Sequence, residues 1–215
     1  MDLQIIQKLD SFFSRYTPLK FEKRDILIRA GDEPSGIFYL VKGNVRQYVI
    51  SKNGEEITLN IYKPGAFFPM AWAMDASRNS YYFEGMNDID AFVAPKKDVV
   101  DFVQREPEIL FDLLKRVYVG VDGILSRLEF LMSGNAKQRL ITVLVISAKR
   151  FGEATKGNIV ITLKLTHQDL ASLAGLSRET VSREMMIIKK KRLIDYTSTS
   201  ITVHNIENLE NELVE

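Results

Sequence analysis

Apolar and polar residues alternate in short runs from Ile26 to Val93, punctuated by turn residues about every ten positions, and this predicts a succession of strands. Ile37 to Val41 is closed by Lys42-Gly43-Asn44 and followed by Val45 to Ile50. Asn53-Gly54, ahead of the alternating Ile57, Leu59 and Ile61, predicts a hairpin, because this pair accepts the positive φ angles of a tight turn. Lys63-Pro64-Gly65 closes that strand. Strands spaced this way predict an antiparallel sandwich, roll or barrel. Before them, Leu3, Ile6 and Leu9 predict a short amphipathic helix.

After Pro107 the period becomes helical. Leu110, Leu114, Val117, Val121, Ile124, Leu128 and Leu131 follow alternating steps of four and three, an unbroken heptad stripe. Leu113, Leu125 and Phe130 widen the apolar face, as they would on a helix that also packs on its own domain. A strict seam between two domains predicts pairing with a second copy of the chain. Ser133-Gly134-Asn135 interrupts the stripe, with Asn135 and Gln138 spaced as a capping box, and the helix from Ala136 to Phe151 should end at Gly152 as at a C-cap. The predicted organisation is residues 1–107 as an N-terminal β domain that could take an effector, 108–134 as dimerisation helix and hinge, and 135–215 as a DNA-binding domain.

The third segment carries the most specific pattern. Thr166 and Asp169 are spaced as a capping box, opening a helix from His167 to Ala174 with Leu170, Ala171 and Leu173 inward. Gly175 supplies a left-handed turn, Leu176 plugs the corner, and Ser177 caps a second helix. The small Ala171, Gly175 four residues on, and Val181 six further on let two helices cross closely at a tight turn. On the second helix Val181, Met185 and Ile188 share one face, and Arg178, Glu179, Ser182 and Arg183 share another. Arginine offers a fork to guanine, glutamate accepts from cytosine, and serine serves either role. Ser177, Thr180, Thr166, His167 and Lys189 complete the candidate contact set, Lys189 facing phosphate or solvent. Leu193 to Tyr196 and Ser200 to Val203 predict a hairpin wing after the recognition helix.

Charge supports a nucleic-acid partner. Residues 1–135 hold 17 Lys+Arg against 19 Asp+Glu, whereas residues 136–203 hold 12 against 5, although the whole chain is only +1. The absence of cysteine excludes disulfides, thiolate metal sites and iron–sulfur ligation. No apolar run approaches a membrane span, and the first residues lack the basic start and apolar core of a signal peptide, so a cytoplasmic location is expected. No phosphate loop, nucleophile elbow or paired-carboxylate motif appears, so no enzyme is expected.

The order of these parts, and above all the run Leu176-Ser177-Arg178-Glu179-Thr180-Val181-Ser182-Arg183, resembles the Crp/Fnr family of transcription regulators. The resemblance extends from Gly31-Asp32 and Lys42-Gly43 to the wing. It implies an α+β chain: an antiparallel β-roll like a cyclic-nucleotide-binding domain (a double-stranded β-helix), a long dimerisation helix and a winged helix-turn-helix. It implies Arg178, Glu179 and Arg183 as base readers in the Crp manner, or Glu179, Ser182 and Arg183 in the Fnr manner. The half-site so implied contains TGA, in an inverted repeat about one helical turn apart. RNA polymerase is implied as a further partner.

The roll departs from the family's cyclic-nucleotide pattern. Gly65-Ala66-Phe67-Phe68-Pro69-Met70 lacks the Gly-Glu expected there, and the phosphate-clamping Arg-Ser pair falls on Ser80-Tyr81, with Arg78 two places away. Haem would need an axial ligand, but His167 and His204 lie in the DNA-binding region and Met70, Met74 and Met86 read as core filler. No cofactor or metal is therefore expected. Phe67, Phe68, Trp72, Tyr81 and Tyr82 form an aromatic-rich stretch that fits either the roll's own core or a pocket for a small apolar or aromatic effector between the roll and the dimer helix. The expected function is a sequence-specific, homodimeric DNA-binding regulator; a regulator without an effector, or a sensing module of the same fold that no longer depends on DNA, are the alternatives.

Overall fold

A computed structural model describes residues 3–75, 78–155 and 157–214. The chain forms two compact units, residues 1–120 and 121–215.

The first unit opens with helix α1 (Leu3–Phe13) and strands β1 (Thr17–Phe21), β2 (Ile26–Ile28), β3 (Ile37–Lys42), β4 (Val45–Ile50), β5 (Glu56–Tyr62) and β6 (Phe67–Phe68). Helix α2 (Met70–Asp75), strands β7 (Tyr82–Gly85) and β8 (Ile89–Ala94), helix α3 (Lys96–Arg105) and the start of α4 (Pro107–Ser133) follow. Two antiparallel sheets, ordered β1-β8-β3-β6 and β2-β7-β4-β5, make the predicted roll. The Asn53-Gly54 hairpin is present between β4 and β5, with Gly54 at φ +81°.

Alternation along β3 divides the core. Phe38 and Leu40 face the interior between the sheets, with Val45, Phe68, Phe83 and Ile89. Ile37 and Tyr39 face outward, under a cover of Leu9, Phe12 and Phe13 from α1, Val99 and Val103 from α3, and Ile109 from α4. Helix starts before Pro107, and not all of Ile26 to Val93 is strand. The apolar run from Met70 to Met74 is too short for its period to separate strand from helix, and it folds as α2. In α3 the paired Val99 and Val100 resemble a strand, but burial of Val99 and Val103 at helical spacing decides the conformation.

The second unit contains α5 (Ala136–Phe151), β9 (Gly152–Thr155), β10 (Asn158–Ile161), α6 (His167–Ala174), α7 (Arg178–Lys190), β11 (Ile194–Tyr196), β12 (Ile201–Val203) and α8 (Ile206–Asn211). The capping box at the start of α5 forms: the Asn135 side chain accepts the Gln138 N–H at 3.0 Å, and Gln138 Oε1 accepts the Asn135 N–H at 3.0 Å. Gly152 ends α5, but its backbone is extended, not left-handed, and it begins β9. The need for glycine is steric: a Cβ there would lie 2.2 Å from the Ala148 carbonyl oxygen and 2.3 Å from Ile159 Cγ2. The sheet is ordered β11-β12-β10-β9, so the wing formed by β11 and β12 continues a hairpin that local pattern did not reveal. Among the described residues no helix is long and apolar enough to cross a membrane.

Candidate nucleic-acid interface

Helix α6 is fixed at both ends. Thr166 Oγ1 accepts the Asp169 N–H at 3.1 Å, and Asp169 Oδ2 accepts the Thr166 N–H at 2.8 Å and its hydroxyl at 2.6 Å. Gly175, at φ +61° and ψ +44°, terminates the helix, and the N–H groups of Gly175 and Leu176 both donate to Ala171 O. Ser177 Oγ then accepts the Thr180 N–H at 3.1 Å and starts α7. A cap of this kind contributes about 1 kcal/mol, and consecutive caps leave little freedom in the angle between the helices. Val181, Met185 and Ile188 are buried, as are Leu170, Ala171 and Ala174 on α6.

Sequence pattern did not identify Arg139 of α5 as part of this turn. Its guanidinium donates to Ala174 O at 2.8 and 3.1 Å and also to Gly175 O. These carbonyls belong to the end of α6, where a cation opposes the helix dipole favourably. Thirty-five positions separate Arg139 from Ala174, a distance that no local motif encodes.

The anchored face leaves the opposite side of α7 outward. Ser177, Arg178, Glu179 and Arg183 are exposed, and Thr180 and Ser182 are half-buried. The Arg183 Nε donates to Glu184 Oε1 at 3.2 Å. The outlying candidates are more tied down. Thr166 spends its hydroxyl on the cap. The half-buried His167 ring meets Tyr196 edge-on at 5.8 Å between centroids. Lys189 is paired with Asp195 at 3.1 Å and lies 5.2 Å from the Tyr196 ring centroid. Asp195 also meets His204 Nε2 at 3.0 Å, and Lys189 and His204 hold its carboxyl below the ordinary carboxylate value. At the end of α7, Lys191 pairs with Glu212, which also takes Lys137 at 2.8 Å; these two ammonium groups lower the Glu212 pKa.

Along α4 the heptad residues Leu110, Leu114, Val117, Val121, Ile124, Leu128 and Leu131 are between 42 and 54% exposed, so the single chain leaves its apolar stripe largely uncovered. Ile109 and Leu113, on another side of the helix, pack into the outer core of the roll. One helix thus packs one face into the roll and leaves another apolar face exposed.

The aromatic residues near Phe67 are not gathered around one cavity. Phe67 packs outward near Phe13, at 6.0 Å between centroids. Phe68 points into the roll, stacked on Phe83 at 5.2 Å and parallel to Phe38 at 6.0 Å. Tyr81 packs at the edge of that interior cluster. Trp72 lies under Lys96, whose Nζ is 4.6 Å from the ring centroid, and Tyr82 stacks on Tyr48 at 5.2 Å. Arg78 donates to Gly31 O at 3.3 Å, and the buried Asn79 amide donates to Arg29 O and Tyr81 O.

Two sequence profiles match the chain: a cyclic nucleotide-binding domain over residues 18–106 and a Crp-like helix-turn-helix domain over residues 138–212. A global nitrogen regulator of Nostoc sp. is 25% identical over 86% of this chain and 83% of its own length. A cAMP-activated global transcriptional regulator CRP of Pasteurella multocida is 26% identical over 91% of this chain and 94% of its own. Among solved structures, a CooA mutant from Carboxydothermus hydrogenoformans superposes with a TM-score of 0.78 at 19% identity, covering 94% of this chain and 90% of that one. A CRP/FNR-family transcriptional regulator from Thermus thermophilus gives 0.71 at 22%, covering 93% and 99%.

Proposed function

We propose, from the premise that this chain is a DNA-binding transcription regulator of the Crp/Fnr family, that it pairs through α4 and reads an inverted repeat with the exposed face of α7. The observation that carries the reading is the division of α7: Val181, Met185 and Ile188 are buried while Arg178, Glu179 and Arg183 project from a turn locked by Ser177, Gly175 and Arg139. Arg178, Glu179, Ser182 and Arg183 make the base contacts, at half-sites containing TGA. Lys189 adds charge near the phosphates once its bond to Asp195 yields.

Dimerisation follows from the uncovered heptad stripe. Half-exposed leucine, valine and isoleucine side chains at the a and d positions cost free energy that a second copy removes, each contributing about half of the roughly 1.5–3 kcal/mol of full burial. Two recognition helices then face successive turns of one duplex side. Val121→Lys places two charges in that seam and is expected to yield monomers by light scattering. The monomers should bind a palindromic duplex no better than a half-site duplex. A Val121→Lys protein that stays dimeric would remove α4 as the interface.

The regulator without an effector is favoured over one that lodges an effector between the roll and α4, because Phe68, Phe83, Phe38 and Tyr62 fill the roll interior with their own rings and Phe67 and Trp72 pack in the outer cluster with Ile109 and Leu113 of α4. The Pasteurella relative is cAMP-activated; here Ser80-Tyr81 stands at the phosphate-clamping positions and Arg78 is turned to Gly31. Equal DNA affinity before and after extraction of bound small molecules supports this reading, and a change in affinity opposes it.

A further inference from the structure

Glu184 has no part in the contacts proposed above, yet it is the one carboxylate or cationic side chain among the buried described residues, at 8% exposed. It stands on α7 between the anchoring face and the reading face, and its Oε1 lies 3.2 Å from Arg183 Nε. Adjacent residues on a helix project about 100° apart and do not ordinarily meet. The contact therefore requires the Arg183 side chain to turn back toward its neighbour.

That turn has a chemical consequence. A guanidinium held at Nε keeps its two terminal nitrogens as the outward fork, and the Arg183 side chain is still 64% exposed. A two-pronged donor is what guanine O6 and N7 accept. An unrestrained arginine side chain samples many rotamers, and base binding must freeze them. The geometry points to Glu184 as a positioning residue for base reading: a buried carboxylate that fixes the direction of the Arg183 fork before DNA arrives. The same carboxylate repels phosphates beside α7, so it lowers affinity for DNA of any sequence while sharpening the choice of one base. Glu184 thus trades general affinity for discrimination.

This inference rests on Arg183 as a base reader, and the test separates the two. Wild type, Arg183→Ala, Glu184→Leu, Glu184→Gln and the Arg183→Ala/Glu184→Leu double variant are titrated against a duplex selected by the wild type from a random pool, against its single base-pair variants, and against random duplex. Glu184→Leu should lower the preference about five- to tenfold at the base pair that Arg183→Ala identifies, and leave other positions unchanged. Its affinity for random duplex at low salt should rise about twofold. The double variant should lose no more preference than Arg183→Ala alone. Glu184→Gln keeps the acceptor oxygen but not the charge, so about a two- to threefold loss of preference is expected; if Glu184→Leu does not fold, this variant decides. Preference unchanged in the folded Glu184 variants, with Arg183→Ala relaxed, overturns the role of Glu184 alone. Preference unchanged in Arg183→Ala overturns the reading of Arg183, and that of Glu184 with it.

Discussion

The two units reach a fixed geometry by different means. In the roll, shape is set by ring planes: Phe68 on Phe83, Phe13 on Tyr39 at 4.6 Å, Phe12 on Phe102 at 4.0 Å. In the second unit the buried residues are mostly aliphatic, among them Leu140, Leu144, Val181, Ile188, Ile194 and Val203. There, polar groups at helix ends set the angles, through Asn135, Thr166, Ser177, Asn205 and the Arg139 guanidinium. Ring pairs prefer certain orientations but accept a broad range of offsets and separations, whereas caps and charge-assisted bonds fix one donor on one acceptor. The unit that must present side chains to another molecule at a fixed angle is the one stitched by directional bonds.

That contrast is open to direct attack. Phe68→Ala should have the largest effect, removing three ring contacts from the roll interior and lowering the stability of the first unit by about 3–5 kcal/mol in chemical denaturation. The capped second unit should keep its DNA affinity if the roll acts only as a scaffold. Gly175→Ala forces a side chain into a left-handed conformation, at about 1–2 kcal/mol, and brings a Cβ within 2.8 Å of Arg139 Nη2. It should weaken specific DNA binding more than it lowers the melting temperature, because the angle of α7 moves before the core opens.

The smallest effect concerns pH. The Glu212 carboxyl is held below its ordinary value of 4.5 by Lys137 and Lys191, so its stabilisation is present in full above 4.5 and is lost as the pH falls through the lowered value. Glu212→Gln should cost under about 1 kcal/mol at neutral pH, and the difference from wild type in thermal melts should fade below pH 4.5. A difference that persists in acid would assign Glu212 a packing role instead.

The same contrast explains what could be read from the sequence. Caps are written three residues apart, so Asn135 with Gln138, Thr166 with Asp169, and Ser177 were legible, as was the heptad of α4 at steps of three and four. The strands of the roll were legible as a class. The ring stacks were not, since Phe38 and Phe68, on paired strands of one sheet, meet Phe83 of the other only when the two sheets face each other. Neither was the helix α2, whose six residues are too few to show a period. Arg139 and Glu184 escaped for a different reason: each acts through a neighbour, and a lone arginine or glutamate on a helix reads as solvated surface until the carbonyls or the guanidinium beside it are known. Lys189 was read as a phosphate contact or solvent-facing residue, and its bond to Asp195 depends on the wing folding back beside α7.

The central claim is that the outward face of α7 selects a base sequence and that Arg183 reads one of its bases. Sequences bound by the wild type and by Arg183→Ala, each selected from a random duplex pool, test it most directly. The wild type should return an inverted repeat with TGA in each half-site. Arg183→Ala should return the same repeat with one base pair relaxed and an affinity lower by roughly 1–3 kcal/mol. An Arg183→Ala protein that selects the same sequence with undiminished preference at every position would contradict it.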